Sequence, residues 1–260
     1  MKQLKSVPIL GVNITNDTTE NICHYVFDRL HASKEKWYVV TPNPEMLVYA
    51  NKHASFKKIL NGAGVALPDG VGVFVIAGLM GNKLKERIPG VDFLEELCKK
   101  ASGKPVSIGF LGGGPGVARL TAECLLTRYP GIKVRWVGEE WINVRHEKQV
   151  IHSDIDDKNQ MPYVSPHDPI DILFVAFGAP KQEKWIAQNL PHLPVKMAMG
   201  VGGSFDYISG NVVRAPFMIR AIGFEWLFRL IVQPWRIKRQ LALLQFIWLS
   251  FRAALMKSSK

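Results

Sequence analysis

A lone carboxylate stands between two apolar runs at residues 65–81, where the sequence is VALPDGVGVFVIAGLMG. Asp-Gly pairs commonly form turns, and Asp69 at this place can also cap a following helix. Its apolar neighbours would limit its hydration, and poor hydration raises the pKa of a carboxyl group towards that of a general base. Two interpretations of Asp69 are therefore open: a turn residue, or a base at the edge of a pocket.

Two further stretches place polar or glycine residues directly after apolar runs. In TPNPE, Asn43 suits a helix N-cap and the next proline suits the first helical position, but neither explains the hydroxyl of Thr41. In the second stretch Gly112, Gly113 and Gly114 precede a predicted helix, whose N-terminus favours phosphate. The spacing is not GxGxxG, so a phosphate or diphosphate loop is favoured over a dinucleotide site.

Two more candidate residues follow later apolar runs. Gln182, in the first turn of a predicted helix, can hydrogen-bond a sugar or a base, although a solvated helix face is the alternative. Asp206 can accept hydrogen bonds from ribose hydroxyls, or it can cap a helix.

Metal-binding patterns are absent from the sequence at these strand ends. Asp154 and Asp156 resemble the DxD signature of metal-dependent sugar transferases, but they lie in a polar segment and do not follow a strand. The seven histidines are scattered. We therefore expect chemistry that uses neither a metal nor another cofactor.

An alternation of apolar runs and amphipathic segments must position these residues. The predicted strands are VPILGVNI, KWYVVTP, VSIGFLG, KVRWVG, DILFVAFG and VKMAMGVG. The predicted helices are TTENICHYVFDRLHA, PEMLVYANKHASFKKIL, GVDFLEELCKKA, PGVARLTAECLLTRY and KQEKWIAQNL. This pattern predicts an α/β fold, a Rossmann-like and mostly parallel sheet covered by helices on both faces. Ligands of such sheets bind beyond the carboxyl ends of the strands, so five polar strand ends favour an enzyme with a nucleotide-like substrate.

The C-terminal part of the chain differs from the rest in charge. The net charge is +11, and residues 214–260 hold nine basic residues but a single acid, Glu225. The apolar stretch 240–250 is too short to span a bilayer as a helix, so we expect an in-plane helix at an anionic membrane surface.

This difference in charge suggests a division of the chain into two parts. We expect a catalytic domain at residues 1–213 and a helical, membrane-binding appendage at residues 214–260. The domain is expected to fold without the appendage. The alternative is a helical pair that packs on the domain and completes its core.

Two observations predict a cytoplasmic protein. The N-terminal residues MKQLKSVPILGVNITND contain no apolar stretch long enough for a signal peptide. The cysteines Cys23, Cys98 and Cys124 are odd in number and form no CxxC pair, as expected of buried thiols in a reducing compartment. With the appendage, this predicts peripheral association with the inner face of the cell membrane.

Seven segments resemble those of the WecG/TagA/CpsF family of bacterial glycosyltransferases. They follow one another in order over nearly 200 residues: TPNPE (41–45), LPDGVGV (67–73), ERIPGVDF (86–93), GFLGGGPGVA (109–118), FGAPKQEKW (177–185), GVGGSFDYISG (200–210) and RAPFMIRAIGFEWLFRLIVQPWRIKR (214–239). The segment at residues 140–169 is longer than the family pattern and is given no role.

The resemblance implies an inverting, metal-independent transfer of a sugar, often of the N-acetylmannosamine type. The donor would be a UDP-sugar and the acceptor a polyprenyl-diphosphate-linked sugar at the cytoplasmic membrane surface. In the family pattern Asp69 matches the proposed base, Thr41 and Asn43 match neighbouring pocket positions, Arg87 and Gln182 match substrate-contacting positions, and Asp206 falls in the donor-side motif.

The chemistry of inversion agrees with this pattern. It needs a base that takes a proton from the acceptor hydroxyl, and a group that stabilises the leaving diphosphate. Asp69 suits the first task, and without a metal, arginines must perform the second. Arg229, Arg236 and Arg239 are spaced by seven and three residues and would share one helix face, unless Pro234 interrupts the helix.

Two other classes of protein fit parts of the sequence. The sequence pI near 9.6 and the mixture of Arg and Trp suggest a nucleic-acid-binding protein, but the apolar appendage does not suit a solvated nucleic-acid face. An NAD-dependent oxidoreductase would share the fold but needs a better glycine pattern. We expect no nucleic-acid partner, and a homo-oligomer stays possible.

Overall fold

Six parallel strands form the main sheet in the computed structural model, which describes residues 4–138, 169–234 and 237–258. Numbered in chain order, the strands are β1 (Ser6–Ile9), β2 (Val12–Thr15), β3 (Trp37–Val40), β4 (Val65–Ala66), β5 (Ser107–Gly112), β6 (Lys133–Gly138), β7 (Ile170–Ala176) and β8 (Val195–Gly200). The order across the main sheet is β4-β3-β8-β7-β5-β6. All of its pairs are parallel, so the carboxyl ends of the strands lie at the same edge.

Helices flank this sheet and bury most of its strands, whereas the edge strand β6 is partly exposed. The helices are α1 (Thr19–Ala32), α2 (Pro44–Lys52), α3 (Ala54–Asn61), α4 (Val71–Leu79), α5 (Gly90–Ala101), α6 (Val117–Arg128), α7 (Lys181–Asn189), α8 (Ser204–Ile208), α9 (Phe217–Ala221), α10 (Glu225–Val232) and α11 (Ile237–Ser258). Every residue of β5 is buried, because apolar side chains from helices cover it on both sides. The predicted α/β fold is thus confirmed.

The core is divided by the sheet because neighbouring strand residues point to opposite faces. On one face the ring centroids of Phe110 and Phe174 lie 5.7 Å apart, and both rings pack against residues of α1, α5, α6 and α8. On the other face Leu111 and Val175 pack against Trp185 of α7. Two helical layers of this kind leave only the ends of the strands open to a ligand.

Two predicted elements differ from the structure. VPILGVNI is an antiparallel hairpin of β1 and β2 rather than one strand, because Leu10 and Gly11 turn the chain with φ values of 50° and 79°. PEMLVYANKHASFKKIL is two helices rather than one. His53 interrupts it with an extended backbone, and its ring stacks on Tyr49 with 3.9 Å between the ring centroids.

The last helix packs on the body of the protein, which is the part formed by residues 1–213. α11 lies against α2 and α4, and its Phe246 is fully buried in a cluster with Met46 and Leu47. The appendage therefore contributes to the core, which was the alternative considered for it, while independent folding of residues 1–213 stays a prediction. In the described part of the chain, no helix is long and apolar enough to cross a membrane.

Candidate active site

A cavity of about 760 Å³ lies beyond the carboxyl ends of the strands. Residues that follow β3, β4, β5, β7 and β8 all contribute to its lining, as expected from the five polar strand ends. The structure brings together seven of the sequence-predicted site residues in this lining: Asn43, Asp69, Arg87, Gly113, Gln182, Asp206 and Arg229.

Asp69 lies in a turn, but its side chain does not cap the helix that follows. Its backbone N–H donates to the carbonyl of Pro42 (3.2 Å), and Gly70 makes the turn with φ 87°. α4 begins at the next residue without a side-chain cap. The turn therefore leaves the carboxyl group of Asp69 at the cavity wall.

The surroundings of Asp69 favour its protonated form. Burial raises its pKa to about 7, and the negative charges of Glu225 and Asp92 act in the same direction. Arg87 and the N–H of Gly70 act in the opposite direction. A carboxyl group with a pKa near neutrality can accept a proton and release it again at physiological pH.

The appendage closes the cavity around the Asp69 turn. Gly223 comes so close to Val71 that a Cβ there would lie 2.8 Å from a methyl carbon of Val71. Gly72 is equally close to Leu243 of α11. These contacts place the turn between α9 and α10, together with α11, over the start of α4, so one wall of the cavity belongs to the appendage.

An arginine joins the appendage to the body beside this wall. Arg214 donates to Asp92 of α5 at 2.6 Å and to Glu225 of α10 at 3.2 Å. Arg220 lies 3.8 Å from Asp92 as well. This network keeps Glu225 in the cavity lining, where its charge acts on Asp69.

Arg87 is held near Asp69 by a hydrogen bond to the appendage and by the contacts of the preceding residue. Its guanidinium donates to the carbonyl of Arg220 at 2.8 Å. The preceding residue, Glu86, accepts hydrogen bonds from the backbone and the hydroxyl of Thr19, both at 2.8 Å. Arg87 is thus a fixed positive charge in the cavity lining.

Arg229 projects from α10 towards the turn that follows β8. Its guanidinium lies 4.7 Å from the ring centroid of Tyr207, and a Cβ on Gly203 would be 2.7 Å from its Nη2. Asp206 lines the same end of the cavity, and burial raises the pKa of its carboxyl group. A cation and a carboxylate therefore lie at the carboxyl end of β8.

Arg239 does not share a helix with Arg229. α10 ends at Val232 and α11 begins at Ile237, with Pro234 between them, and proline lacks the N–H that a continuous helix needs. The helix is therefore interrupted at Pro234, which was the alternative considered for this cluster. Arg236 lies outside the described residues, and Arg239 belongs to α11 but its side chain is not described.

The residues after β3 have a structural part as well. The side chain of Asn43 accepts from the N–H of Met46 at 3.0 Å and caps α2, while it also lines the cavity. Thr41 is 6% exposed and lies behind the wall, with its hydroxyl 3.5 Å from the carbonyl of Gly200. A role for Thr41 in catalysis stays a prediction.

The glycine run after β5 adopts backbone conformations that suit glycine. Gly112, Gly113 and Gly114 have φ values of 93°, 88° and 93°. A Cβ on Gly112 would lie 2.8 Å from the ring of Phe177. Of these three glycines, Gly113 alone lines the cavity, and its N–H donates to the carbonyl of Ala176. The predicted phosphate contact stays a prediction.

Gln182 lines the cavity but uses its amide inside the protein. Its Oε1 accepts from the N–H groups of Gly178 (3.1 Å) and Gly202 (2.9 Å), and its Nε2 donates to Glu183 (2.8 Å). Only 2% of the residue is exposed. The contact with substrate that the resemblance implies stays a prediction.

A bound metal ion needs several ligand side chains that lie close together. Within residues 4–138, 169–234 and 237–258, no group of three His, Cys, Asp or Glu side chains is arranged to hold a metal ion. Asp154 and Asp156 lie outside the described residues. Independence from metal stays a prediction.

Comparison with known proteins decides the class of this site. The model of the glycosyl transferase WecG/TagA/CpsF family matches residues 7–260, almost the whole chain. The chain belongs to this family. It is therefore a glycosyltransferase, and the cavity at its strand ends is the candidate active site of the transferase.

Two relatives of this transferase carry the same name, N-acetylglucosaminyldiphosphoundecaprenol N-acetyl-beta-D-mannosaminyltransferase. The protein from Bacillus subtilis (strain 168) is 32% identical over 241 residues, which cover 92% of this chain and 87% of the relative. The protein from Staphylococcus aureus (strain MRSA252) is 31% identical over 237 residues, which cover 90% and 87%.

Sequence reasoning missed three residues that shape the site of this transferase. They lie where the appendage contacts the rest of the protein, and they are Arg214, Glu225 and Tyr207. Glu225 gave a signal because it is the single acid of the appendage, in a segment of nine basic residues. The pairing of Arg214 with Asp92 could not be recognised from the sequence, because the two residues are 122 positions apart.

Proposed function

We propose that this transferase moves an N-acetylmannosamine-type sugar from a UDP donor to an N-acetylglucosamine linked to polyprenyl diphosphate, with inversion at the anomeric carbon. Support for the acceptor and the sugar comes from the names of the two relatives. The observation that carries the chemistry is Asp69, a partly buried carboxyl group with a pKa raised to about 7 in the lining of the cavity.

In the proposed reaction Asp69 takes the proton of the acceptor hydroxyl. The hydroxyl oxygen forms a bond to the anomeric carbon while the bond from that carbon to the diphosphate oxygen breaks. The electron pair of the broken bond goes to the leaving UDP, and cationic side chains stabilise its developing charge without a metal. Arg229 lines the cavity and is the described candidate for this task, with Arg236 and Arg239 proposed beside it.

The two substrates are proposed to occupy different ends of the cavity. The donor would lie at the carboxyl ends of β5 and β8, which are lined by Asp206, Gly113 and Arg229. There the carboxylate can bind the ribose, and the backbone and the cation can bind the diphosphate. The acceptor sugar would lie by Asp69 and Arg87, next to the apolar residues of α4 and α11.

The appendage is proposed to hold the enzyme at the inner face of the cell membrane. Exposed apolar side chains of the appendage include Phe217, Met218, Leu244 and Trp248, and this segment carries most of the net positive charge. Such a surface suits the headgroup region of an anionic bilayer, from which the lipid-linked acceptor enters.

The test is turnover of a panel of UDP-sugars with a short-chain lipid-diphosphate-N-acetylglucosamine acceptor. We expect transfer from the UDP-N-acetylmannosamine donor, undiminished by EDTA. Asp69→Asn should lower turnover about 10²- to 10⁴-fold, because the general base is lost, and leave UDP affinity within a few-fold. Loss of activity in EDTA with recovery in Mg²⁺ or Mn²⁺ would contradict the metal-independent reaction. A near-normal rate of Asp69→Asn would make Asp69 a turn residue only.

A further inference from the structure

Two adjacent polar residues at the start of α7 both point into the protein. Gln182 is 2% exposed and Glu183 is fully buried, next to Trp185 and Ile186 of the core. Glutamate is rarely buried without a partner of opposite charge, because the loss of its hydration is costly. Among the described residues no ion pair involves Glu183, so its position calls for another explanation.

The partners of Gln182 determine the orientation of its amide. Two backbone N–H groups, of Gly178 and Gly202, both require an acceptor and meet Oε1 at 3.1 and 2.9 Å. A reversed amide would direct its NH₂ group at these two donors and lose both hydrogen bonds. The β8 backbone limits the space on the other side, since a Cβ on Gly200 would lie 2.8 Å from Nε2.

In that orientation the NH₂ group of Gln182 needs an acceptor, and Glu183 supplies one. Its Oε1 accepts from Nε2 of Gln182 at 2.8 Å, while its Oε2 has no hydrogen-bond partner among the described residues. Burial raises the pKa of Glu183 to about 7, and the hydrogen bond from Gln182 acts in the opposite direction. The carboxyl group can accept this hydrogen bond in both its protonated and its charged form.

We propose that Glu183 is a positioning residue of the transferase, which holds the amide of Gln182 in the orientation that ties the Gly178 turn to the Gly202 turn. These turns follow β7 and β8 and line the cavity on the side of Asp206. Glu183 acts through Gln182 and touches no substrate itself. The consequence for UDP binding rests on the proposed function, whereas the link between the two turns does not.

Two variants separate the hydrogen bond from the volume of the side chain. Glu183→Gln keeps an acceptor oxygen and the shape but removes the charge. Glu183→Met keeps a similar volume and removes the acceptor. We expect Glu183→Gln to bind UDP within two-fold of the wild type, and Glu183→Met to bind it at least ten-fold more weakly. The KM for the UDP-sugar should rise likewise, while the KM for the acceptor changes less than two-fold.

A double-mutant cycle distinguishes positioning from a general effect on folding. If Glu183 acts through Gln182, adding Glu183→Met to Gln182→Met should weaken UDP binding by less than a further two-fold. Penalties that multiply would overturn the proposal, and so would equal losses in Glu183→Gln and Glu183→Met. Thermal melting of all four proteins identifies any variant that has lost its fold.

Hydrogen exchange provides a readout that does not depend on catalysis. The N–H groups of Gly178 and Gly202 should exchange at least ten-fold faster in Glu183→Met and at the wild-type rate in Glu183→Gln. Should Glu183→Met not fold, wild-type exchange and UDP affinity in Glu183→Gln are still required, and their loss overturns the proposal. A wild-type protein that transfers no sugar would contradict the proposed function but leave these exchange rates as expected.

Discussion

The sheet body and the appendage differ in where their large apolar side chains lie. In the body, residues such as Phe110 and Phe174 are fully buried between the sheet and its helices. In the appendage, Phe217 is 74% exposed and Trp248 is 58% exposed, although Phe246 on the same helix as Trp248 is fully buried. A helix with one buried aromatic residue and two exposed ones is attached to the body and still presents an apolar surface.

The candidate active site lies where these two regions meet, and each supplies a different part of its lining. The body provides the Asp69 turn, Arg87 and the glycine turns of the strand ends, while the appendage provides Arg229 and Glu225. The difference between the regions teaches that the appendage has two distinct faces. One face completes the cavity, and the other exposes apolar side chains and is the face proposed to contact a membrane.

The largest expected effect tests whether the appendage belongs to the core. Phe246→Ala should lower the free energy of unfolding by about 3–5 kcal/mol, because it leaves a cavity among buried residues of α2. Phe251→Ala is the matched control on the same helix, since Phe251 is 53% exposed, and should cost less than about 0.5 kcal/mol. Chemical denaturation measures both, and equal losses would mean that α11 is not part of the core.

The next effect tests the contribution of the appendage to chemistry. Arg229→Ala should lower turnover about 100-fold and weaken donor binding much less, because a charge at the leaving diphosphate matters most as the bond breaks. Arg128→Ala, at the far end of α6 from the cavity, is the control and should retain the wild-type rate. Steady-state kinetics measures the effect on turnover, and UDP binding measures the effect on donor affinity. Equal losses in binding and in turnover per bound donor would contradict this role of Arg229.

The smallest effect concerns the outer face of the appendage. Trp248→Ser should reduce co-sedimentation with phosphatidylglycerol liposomes several-fold, since an exposed Trp suits the headgroup boundary. Turnover of a soluble, short-chain acceptor should stay within two-fold. Binding to the liposomes should weaken with salt, because the basic residues of the appendage contribute about 1 kcal/mol each near an anionic surface. Wild-type protein that ignores such liposomes would remove the membrane from the account.

Local pattern predicted much of the fold and many residues of the site. The helix GVDFLEELCKKA has the predicted bounds in the structure, as α5 (Gly90–Ala101), and five strand ends meet at one cavity as expected. Hydrophobic period and parallel strands suffice for this, because both are properties of short segments. They also indicated Asp69, whose apolar neighbours raise its pKa as the sequence suggested.

Features that depend on distant partners were not predictable. The inward orientation of Gln182 depends on Gly202, 20 residues later, and the docking of the appendage depends on Arg214 with Asp92. The break at His53 and the turn at Leu10 are local, but the hydrophobic pattern continues across both positions and therefore predicted one uninterrupted element in each case. The burial of Phe246 depends on a partner helix nearly 200 residues earlier.

The pH dependence of kcat/KM tests most directly whether body and appendage form one site. Only the deprotonated carboxylate of Asp69 can take a proton, so kcat/KM should rise with pH with a midpoint near 7. Burial is the main cause of the raised pKa of Asp69, and Glu225→Gln removes a negative charge that adds to it, so the midpoint should move to lower pH. Glu123→Gln, on α6 and outside the cavity lining, should leave it unchanged. A midpoint that Glu225→Gln does not move, or a wild-type profile without a midpoint near 7, would contradict the account.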